Sequence, residues 1–275
     1  MPLSINGSPL RRALAEGRPA LGVTMVLPGA LHARILASLP NLSYIFVDLE
    51  HGAMSDTEMQ AAIQAIVPFG VSPIVRIPAG EPWMIKRALD AGAHGIAVPM
   101  VSTPVCPNNA IELIIQEEAA AIASAARFPP NGCRGFGSTF SRDAFGWTSD
   151  AEYLEKANNE ILVAVMIETK QGYENAEAII NTPGIDIIMT GETDICLSMG
   201  YPLTPDNPAQ EVTAAISHIS SLARKANKWQ GGRIRPSTGG PKAMASRGIG
   251  MIQVGVDAWL LRETLNAKIT QAMES

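Results

Sequence analysis

The chain has 275 residues, 47% of them hydrophobic, and a formal net charge of −5. This length and apolar content suffice for one large core, and barrels of this size commonly form a single domain. No basic patch interleaved with aromatic residues occurs, which argues against a nucleic-acid partner. No apolar run of about 18 residues occurs, so no membrane span is predicted.

The N-terminus and the cysteines predict a cytoplasmic protein. Arg11 and Arg12 are not followed by the apolar core of a signal peptide. The three cysteines, Cys106, Cys133 and Cys196, are odd in number and widely spaced, which predicts free thiols in a reducing compartment. None belongs to a Cys-x-x-Cys pair, which argues against a zinc site.

Short apolar segments alternate with helical ones along the chain. Strands are predicted near residues 21–27, 44–49, 73–77, 95–100, 161–167, 185–190, 232–236 and 250–255. Helices are predicted near residues 30–39, 56–68, 82–91, 112–127, 172–181, 208–227 and 239–246. Ser55 and Glu58 form a capping signal before the second helix, and Gly70 and Gly92 mark helix ends.

The alternation indicates the fold class. The strands are almost continuously apolar, as in parallel strands buried on both faces. Eight such βα units predict an α/β fold, a closed (β/α)8 TIM barrel forming one domain over residues 1–275. No Gly-x-Gly-x-x-Gly follows a strand, which disfavours a dinucleotide-binding fold. Two long irregular segments, 102–160 and 228–241, are expected to carry function. Substrate specificity is expected to come from the segment 228–241 and from the loop 132–147, which lies within the first segment.

Ionisable residues follow four of the predicted strands. Arg76 ends the third strand, while His51, Glu168 and Asp194 follow the second, fifth and sixth. The carboxyl ends of barrel strands meet at one face, so these side chains predict one active site. Glu168 and Asp194 suit Mg²⁺ or Mn²⁺, leaving about four coordination positions for substrate and water. The alternative is that each acid is paired with a basic residue.

The remaining candidates each have a plainer alternative. Arg76 suits a substrate carboxylate or oxyanion, unless it forms a structural ion pair with Asp48 or Glu50. His51 suits acid–base chemistry, unless it is an ordinary polar residue. Asp90 is expected to pair with His51 or to contact a neighbouring subunit. The alternative is that it is an ordinary polar residue at the end of a helix.

These residues lie in stretches that together resemble the HpcH/HpaI aldolase family, the metal-dependent class II pyruvate aldolases related to citrate lyase β subunits. The resemblance spans about residues 20–260. The matching stretches are 47–52 (VDLEHG), 75–78 (VRIP), 85–93 (IKRALDAGA), 98–101 (VPMV), 127–130 (RFPP), 134–137 (RGFG), 167–169 (IET), 183–186 (PGID) and 199–202 (MGYP).

The resemblance implies a (β/α)8 barrel of the phosphoenolpyruvate/pyruvate-domain type and a homo-oligomer, hexamer or trimer. It implies that Glu168 and Asp194 bind Mg²⁺ or Mn²⁺, with Co²⁺ possible. It implies that His51 is the base, acting through water, and that Asp90 is the acid near it. Arg76 would hold the keto oxygen of pyruvate, and the backbone at Thr193 and Asp194 its carboxylate.

Three features depart from the family pattern. Glu192 stands where proline is common, and Met166 where a glutamine is common. Residues 105–116 look inserted, either as a surface extension or as a gene-model error. Met166 removes a polar group beside the metal site, and such groups tune metal binding.

The implied reaction is reversible cleavage of a 4-hydroxy-2-oxo acid to pyruvate and an aldehyde. One alternative is an oxaloacetate decarboxylase or a decarboxylative C–C coupling enzyme of secondary metabolism. Another is a non-catalytic barrel protein. The sequence does not identify the aldehyde.

Overall fold

The computed structural model describes residues 6–102, 117–204, 209–235 and 238–274. The predicted insertion at 105–116, the first residues of the helix predicted at 112–127, and Cys106 lie outside these ranges. Eight parallel strands form a closed barrel in chain order, which confirms the predicted fold. The strands are β1 (Ala20–Met25), β2 (Leu42–Asp48), β3 (Ser72–Arg76), β4 (Gly95–Val98), β5 (Leu162–Ile167), β6 (Ile187–Thr190), β7 (Trp229–Arg233) and β8 (Met251–Val256).

Helices surround the barrel and close one end. They are α1 (Pro9–Ala15), α2 (Ala30–Ala37), α3 (Asp56–Ile66), α4 (Pro82–Asp90), α5 (Glu117–Ala125), α6 (Ser141–Ala144), α7 (Asp150–Glu160), α8 (Lys170–Glu174), α9 (Ala176–Asn181), α10 (Glu192–Ser198), α11 (Gln210–Lys225), α12 (Pro241–Ser246) and α13 (Asp257–Glu274). A 3-10 turn, Val67–Phe69, follows α3. No helix of the described ranges is long and apolar enough to cross a bilayer.

Alternate residues of each strand contribute to two apolar layers. On β6, Ile187 and Met189 belong to the barrel interior, whereas Ile188 packs outward against the helices. Leu10 and Leu14 of α1 join the interior layer and plug the amino-terminal end of the barrel. The opposite end, where the strands terminate, is therefore the open one, as in TIM-barrel enzymes.

Local signals define several boundaries. The Ser55–Glu58 capping box is present at the start of α3. Gly70 and Gly92 both have positive φ, at 71° and 99°, immediately after helical segments. The predicted helix ends at these two glycines are confirmed, because glycine adopts this conformation without steric cost.

The prediction was wrong about the position of β7 and missed several helices. β7 was placed at 232–236 but runs from Trp229 to Arg233, because its register is fixed by pairing with Ile187–Met189 and with Met251–Gln253. The sequence analysis missed α1, α6, α7, α10 and α13. Ser149, which accepts a hydrogen bond from the Glu152 amide, is the capping signal that would have found α7.

Candidate active site

A cavity of about 430 Å³ opens at the carboxyl ends of the strands. It brings together His51, Arg76, Glu168, Thr193 and Asp194, which the sequence analysis took from four separate stretches. The other lining residues are Thr24, Val26, Phe46, Asp48, Met166, Met189, Thr190, Gly191, Gly232, Arg233, Arg235, Gln253, Val256 and Trp259.

Asp48 organises the turn that follows β2. Its carboxylate is buried and accepts hydrogen bonds from the backbone amides of Glu50, at 3.0 Å, and His51, at 3.2 Å. Gly52 completes the turn, since a Cβ there would lie 2.0 Å from the carbonyl oxygen of Asp48. Only glycine fits this approach, which explains why the ionisable residues at 48–51 are followed by glycine.

Arg76, at the end of β3, is held by two carboxylates. Its Nε and one terminal nitrogen donate to Asp48 at 2.9 and 2.5 Å, and the other terminal nitrogen lies 3.0 Å from Glu50. Burial disfavours its charged form, but the hydrogen bond and charge of Asp48, together with the charges of Glu50 and Glu168, outweigh that effect and raise the pKa of Arg76. The ion pair considered as an alternative therefore exists, and the same guanidinium also lines the cavity.

Glu168 follows β5 and is only 4% exposed. One carboxylate oxygen accepts the Met100 amide at 3.1 Å, and the other faces Gly191, where a Cβ would lie only 2.1 Å from it. Burial, together with the negative charges of Asp194 and Glu50, raises the pKa of Glu168 to about 7, although the Met100 hydrogen bond opposes this. A buried carboxylate with like charges around it is costly unless a cation is bound.

Asp194 lies in the first turn of α10, on the loop side of β6, and is exposed. Neither Asp194 nor Glu168 forms an ion pair with a basic side chain in the described residues, so the sequence alternative of salt-bridged acids is not found there. The described ranges contain no group of three or more His, Cys, Asp or Glu residues suited to a metal. Two carboxylates that line one cavity, without a basic partner in the described residues, fit Mg²⁺ or Mn²⁺ shared with substrate oxygens and water.

His51 lines the cavity mouth with a side chain that is 67% exposed. Its Nε2 lies 3.7 Å from a carboxylate oxygen of Glu50. The exposed ring is accessible to a molecule in the cavity, and an imidazole can accept and return a proton.

Asp90 does not lie in this cavity. It sits at the end of α4, where it pairs with Arg134 at 2.8 Å and with Lys86 at 3.4 Å. It lines a separate surface depression of about 590 Å³. The structure of one chain therefore does not bring Asp90 together with His51.

Glu192 and His32 are two further ionisable residues that pair with a neighbouring side chain. Glu192 adds no free charge beside Asp194, because it pairs with Arg235 at 2.6 Å. His32 belongs to α2, and its Nε2 lies 2.7 Å from the buried carboxylate of Asp257.

Sequence reasoning missed the polar wall formed by β1, β7 and β8. Thr24, Arg233 and Gln253 line the cavity there, beside Trp259 of α13. The segment 228–241 had been linked to specificity, but the misplaced β7 concealed which of its residues face inward. Every second residue of a strand faces the same side, so the series Trp229, Gly231 and Arg233 could have indicated that Arg233 faces inward.

Residues 29–264 match the model of the HpcH/HpaI aldolase/citrate lyase family. The chain is 34% identical over 257 residues to a 4-hydroxy-2-oxo-heptane-1,7-dioate aldolase of Shigella flexneri, covering 94% of this chain and 90% of the relative. It is 34% identical over 222 residues to a hydroxypyruvate/pyruvate aldolase of Rhizorhabdus wittichii, covering 81% and 82%. It is also similar to the solved structure of an HpcH/HpaI aldolase/citrate lyase family protein from Burkholderia cenocepacia J2315, with a TM-score of 0.80, 28% identity and coverage of 98% and 100%.

Proposed function

Since this chain belongs to the HpcH/HpaI aldolase/citrate lyase family, it is a carbon–carbon lyase of the pyruvate-aldolase type, and we propose that Glu168 and Asp194 hold its divalent cation. The carrying observation is the environment of Glu168. Its carboxylate is buried, its pKa is raised by burial and by neighbouring acids, and it lacks a basic partner in the described residues. A bound cation would remove that energetic cost.

The substrate that suits this site is a 4-hydroxy-2-oxo acid, cleaved reversibly to pyruvate and an aldehyde. Bound Mg²⁺, Mn²⁺ or Co²⁺ would supply Lewis acidity, which polarises the 2-oxo group and lowers the energy of negative charge on it. The protein contributes the remaining steps through side chains that already face the cavity.

Arg76 stabilises the negative charge that develops on the keto oxygen when the C3–C4 bond breaks. Its guanidinium is fixed by Asp48, so it needs little reorganisation as charge develops. His51 accepts the proton of the 4-hydroxyl group, through a water molecule, and returns it in the reverse direction. The amides of Thr193 and Asp194 lie in the first turn of α10, where backbone donors lack intrahelical acceptors, and are proposed to bind the carboxylate of pyruvate.

We propose that the protein is a homo-oligomer, a hexamer or trimer. The apolar side chains of α13 are extensively exposed in a single chain, including Leu261 at 51%, Leu265 at 52% and Ile269 at 57%. Such a surface favours association with another copy. In the assembly, Asp90 is proposed to approach His51 of the partner subunit, and light scattering coupled to size-exclusion chromatography would measure the number of subunits.

A cytoplasmic location is also part of the proposal. Cys133 and Cys196 are free thiols, which is typical of a reducing compartment.

The test of the proposed function combines metal removal with substitution of one ligand. After dialysis against EDTA, aldol addition of pyruvate to a panel of aldehydes should stop, and Mg²⁺ or Mn²⁺ should restore it. Glu168→Ala should be inactive at all metal concentrations, whereas Glu177→Ala, on the exposed face of α9, should behave as wild type. Full activity in EDTA would contradict the proposal.

Two measurements separate the competing functions. Exchange of the C3 protons of pyruvate with solvent requires enolate formation, so a non-catalytic barrel would show none. A decarboxylase would release pyruvate from oxaloacetate without any activity towards aldehydes, whereas the aldolase depends on the aldehyde.

A further inference from the structure

Arg233 is the last residue of β7, and its side chain faces the inside of the barrel. A Cβ at Gly231 would meet Met189 of the barrel interior at 2.9 Å, whereas one at Gly232 would meet Met244 of α12 and Ile249, before β8, at 3.3 and 3.4 Å. Side chains alternate along a strand, so Arg233 projects to the same side as Gly231. It lies directly above a residue with no side chain and lines the cavity.

The guanidinium of Arg233 is half-buried but has no carboxylate within ion-pair distance in the described residues. It lies 5.1 Å from the ring centroid of Trp259. Arg235, two residues later, differs because Glu192 neutralises it at 2.6 Å. Arg233 is therefore a cation held in the cavity by an aromatic face, without an ion-pair partner among these residues.

The surroundings of Arg233 favour an added negative charge. Burial, and then the positive charge of Arg235, lowers the pKa of Arg233, and Glu192 only partly opposes this, while Arg76 adds further positive charge. The adjacent wall is polar rather than acidic, because Gln253 pairs with Arg233 across the β7–β8 ladder and donates to Thr24. Glu168 and Asp194 form the acidic side of the same cavity, on the β5–β6 side.

The cavity thus has an acidic side suited to a cation and a 2-oxo acid, and a basic side formed by β7. We propose that Arg233 binds an anionic group at the far end of the aldehyde, so that the preferred aldehydes carry a carboxylate a few carbons from the carbonyl. This inference depends on the proposed function, because it assigns the substrate class of the same site. The names of the relatives do not decide whether the aldehyde is anionic. The heptane-1,7-dioate in one name would yield an anionic aldehyde on loss of pyruvate, whereas the name hydroxypyruvate/pyruvate aldolase specifies no aldehyde.

The test compares two four-carbon aldehydes that differ in one terminal group. Succinic semialdehyde carries a carboxylate, and butanal carries a methyl group. With pyruvate and Mn²⁺, wild-type protein should prefer succinic semialdehyde. Arg233→Met should lower kcat/KM for succinic semialdehyde by about 10- to 100-fold, chiefly through KM, because a charge-assisted hydrogen bond is lost. The kcat/KM for butanal and the KM for pyruvate should each change by less than about twofold.

Two matched variants control the experiment. Arg233→Lys keeps a positive charge and should retain part of the preference. Arg18→Met removes the same charge at an exposed position before β1, at the opposite end of the barrel, and should behave as wild type. Melting temperatures of all variants establish that each is folded.

The outcomes distinguish this inference from the proposed function. If wild-type protein treats both aldehydes equally, or if Arg233→Met weakens both equally, Arg233 does not bind the anionic group. If wild-type protein adds pyruvate to no aldehyde and exchanges no pyruvate protons, the proposed function itself is wrong.

Discussion

Asp48 and Arg76 form a two-point ion pair in the wall of the cavity, with donor–acceptor distances of 2.9 and 2.5 Å. The same carboxylate caps the turn that carries His51, through the amides of Glu50 and His51. One buried acid therefore fixes both the proposed electrostatic group and the proposed base. Neither the Arg76 guanidinium nor the backbone of His51 can shift without disturbing Asp48.

Asp48→Asn should consequently impair both stability and catalysis. Removing one partner of a buried ion pair typically costs 3–5 kcal/mol, and about 3 kcal/mol is expected here because Glu50 still contacts Arg76. We expect kcat/KM to fall about 100-fold, since misplacement of groups around the reacting atoms is costly. Urea unfolding and steady-state kinetics measure the two effects.

Asp186→Asn is the matched control for this prediction. Asp186 forms an ion pair of 2.8 Å with the buried Arg127, but it precedes β6 at the amino-terminal end of the barrel. This variant should lose stability while the folded protein keeps kcat/KM within about threefold of wild type. A similar loss of kcat/KM in both variants would show that destabilisation alone explains the effect of Asp48→Asn.

Gly191→Ala should weaken metal binding. The added Cβ would lie 2.1 Å from a carboxylate oxygen of Glu168, so the carboxylate or the start of α10 must move. Either movement changes the separation of Glu168 and Asp194, and metal affinity should fall at least about tenfold, as it does when supporting contacts of a metal site are lost. Isothermal titration with Mn²⁺ measures the affinity. Gly240→Ala, which meets no atom within 4 Å, should bind Mn²⁺ as wild type does.

Glu168→Gln should stabilise the metal-free protein at alkaline pH. The pKa of Glu168 is raised to about 7 by burial, so the folded state binds more protons than the unfolded state between about pH 4.5 and 7. The stability of wild-type protein in EDTA therefore declines as pH rises through this window. At pH 8 the glutamine variant should be more stable by up to about 3 kcal/mol, and the difference should shrink towards pH 5.

The metal reverses this ranking at pH 8. Mn²⁺ should raise the melting temperature of wild-type protein, because it binds the folded state, but should leave Glu168→Gln unchanged. Glu177→Gln should follow wild type under both conditions. A glutamine variant that is less stable than wild type in EDTA at pH 8 would mean that the buried carboxylate is not under electrostatic strain.

Much of the candidate site was predictable because strand ends are visible in the sequence. Arg76 and Glu168 each terminate an apolar run, and barrel closure brings those ends together regardless of the spacing along the chain. Arg233 was not recognised, because the register of β7 depends on pairing with β6 and β8, and two glycines weaken its own strand signal. The interactions of Asp90 with Arg134 depend on a long loop whose path no local pattern defines.

The position of His94 in a helix-to-strand turn predicts a purely structural role. This role can be tested through the pH dependence of protein stability. Its ring is fully buried at the amino-terminal end of β4, 3.1 Å from the hydroxyl of Ser72 and 2.8 Å from the carbonyl of Ala144. Burial lowers the pKa of His94 to about 4, compared with about 6.5 in an unfolded chain. Between these values the unfolded state binds more protons, so the neutral ring stabilises the fold fully above pH 6.5 and loses that contribution as pH falls towards 4. Over this pH range the contribution of His94 to the free energy of unfolding changes by about 3 kcal/mol.

His94→Gln removes this titration. The difference in unfolding free energy between wild type and the variant should be largest near pH 7.5 and should narrow by about 3 kcal/mol by pH 4, measured by urea unfolding at several pH values. Comparison with the variant cancels the opposite contribution of Glu168 in the same range. His218→Gln, which changes an exposed histidine of α11, should keep the wild-type pH dependence. A constant difference between wild type and His94→Gln across this range would mean that the ring is protonated as readily in the folded barrel as in the unfolded chain.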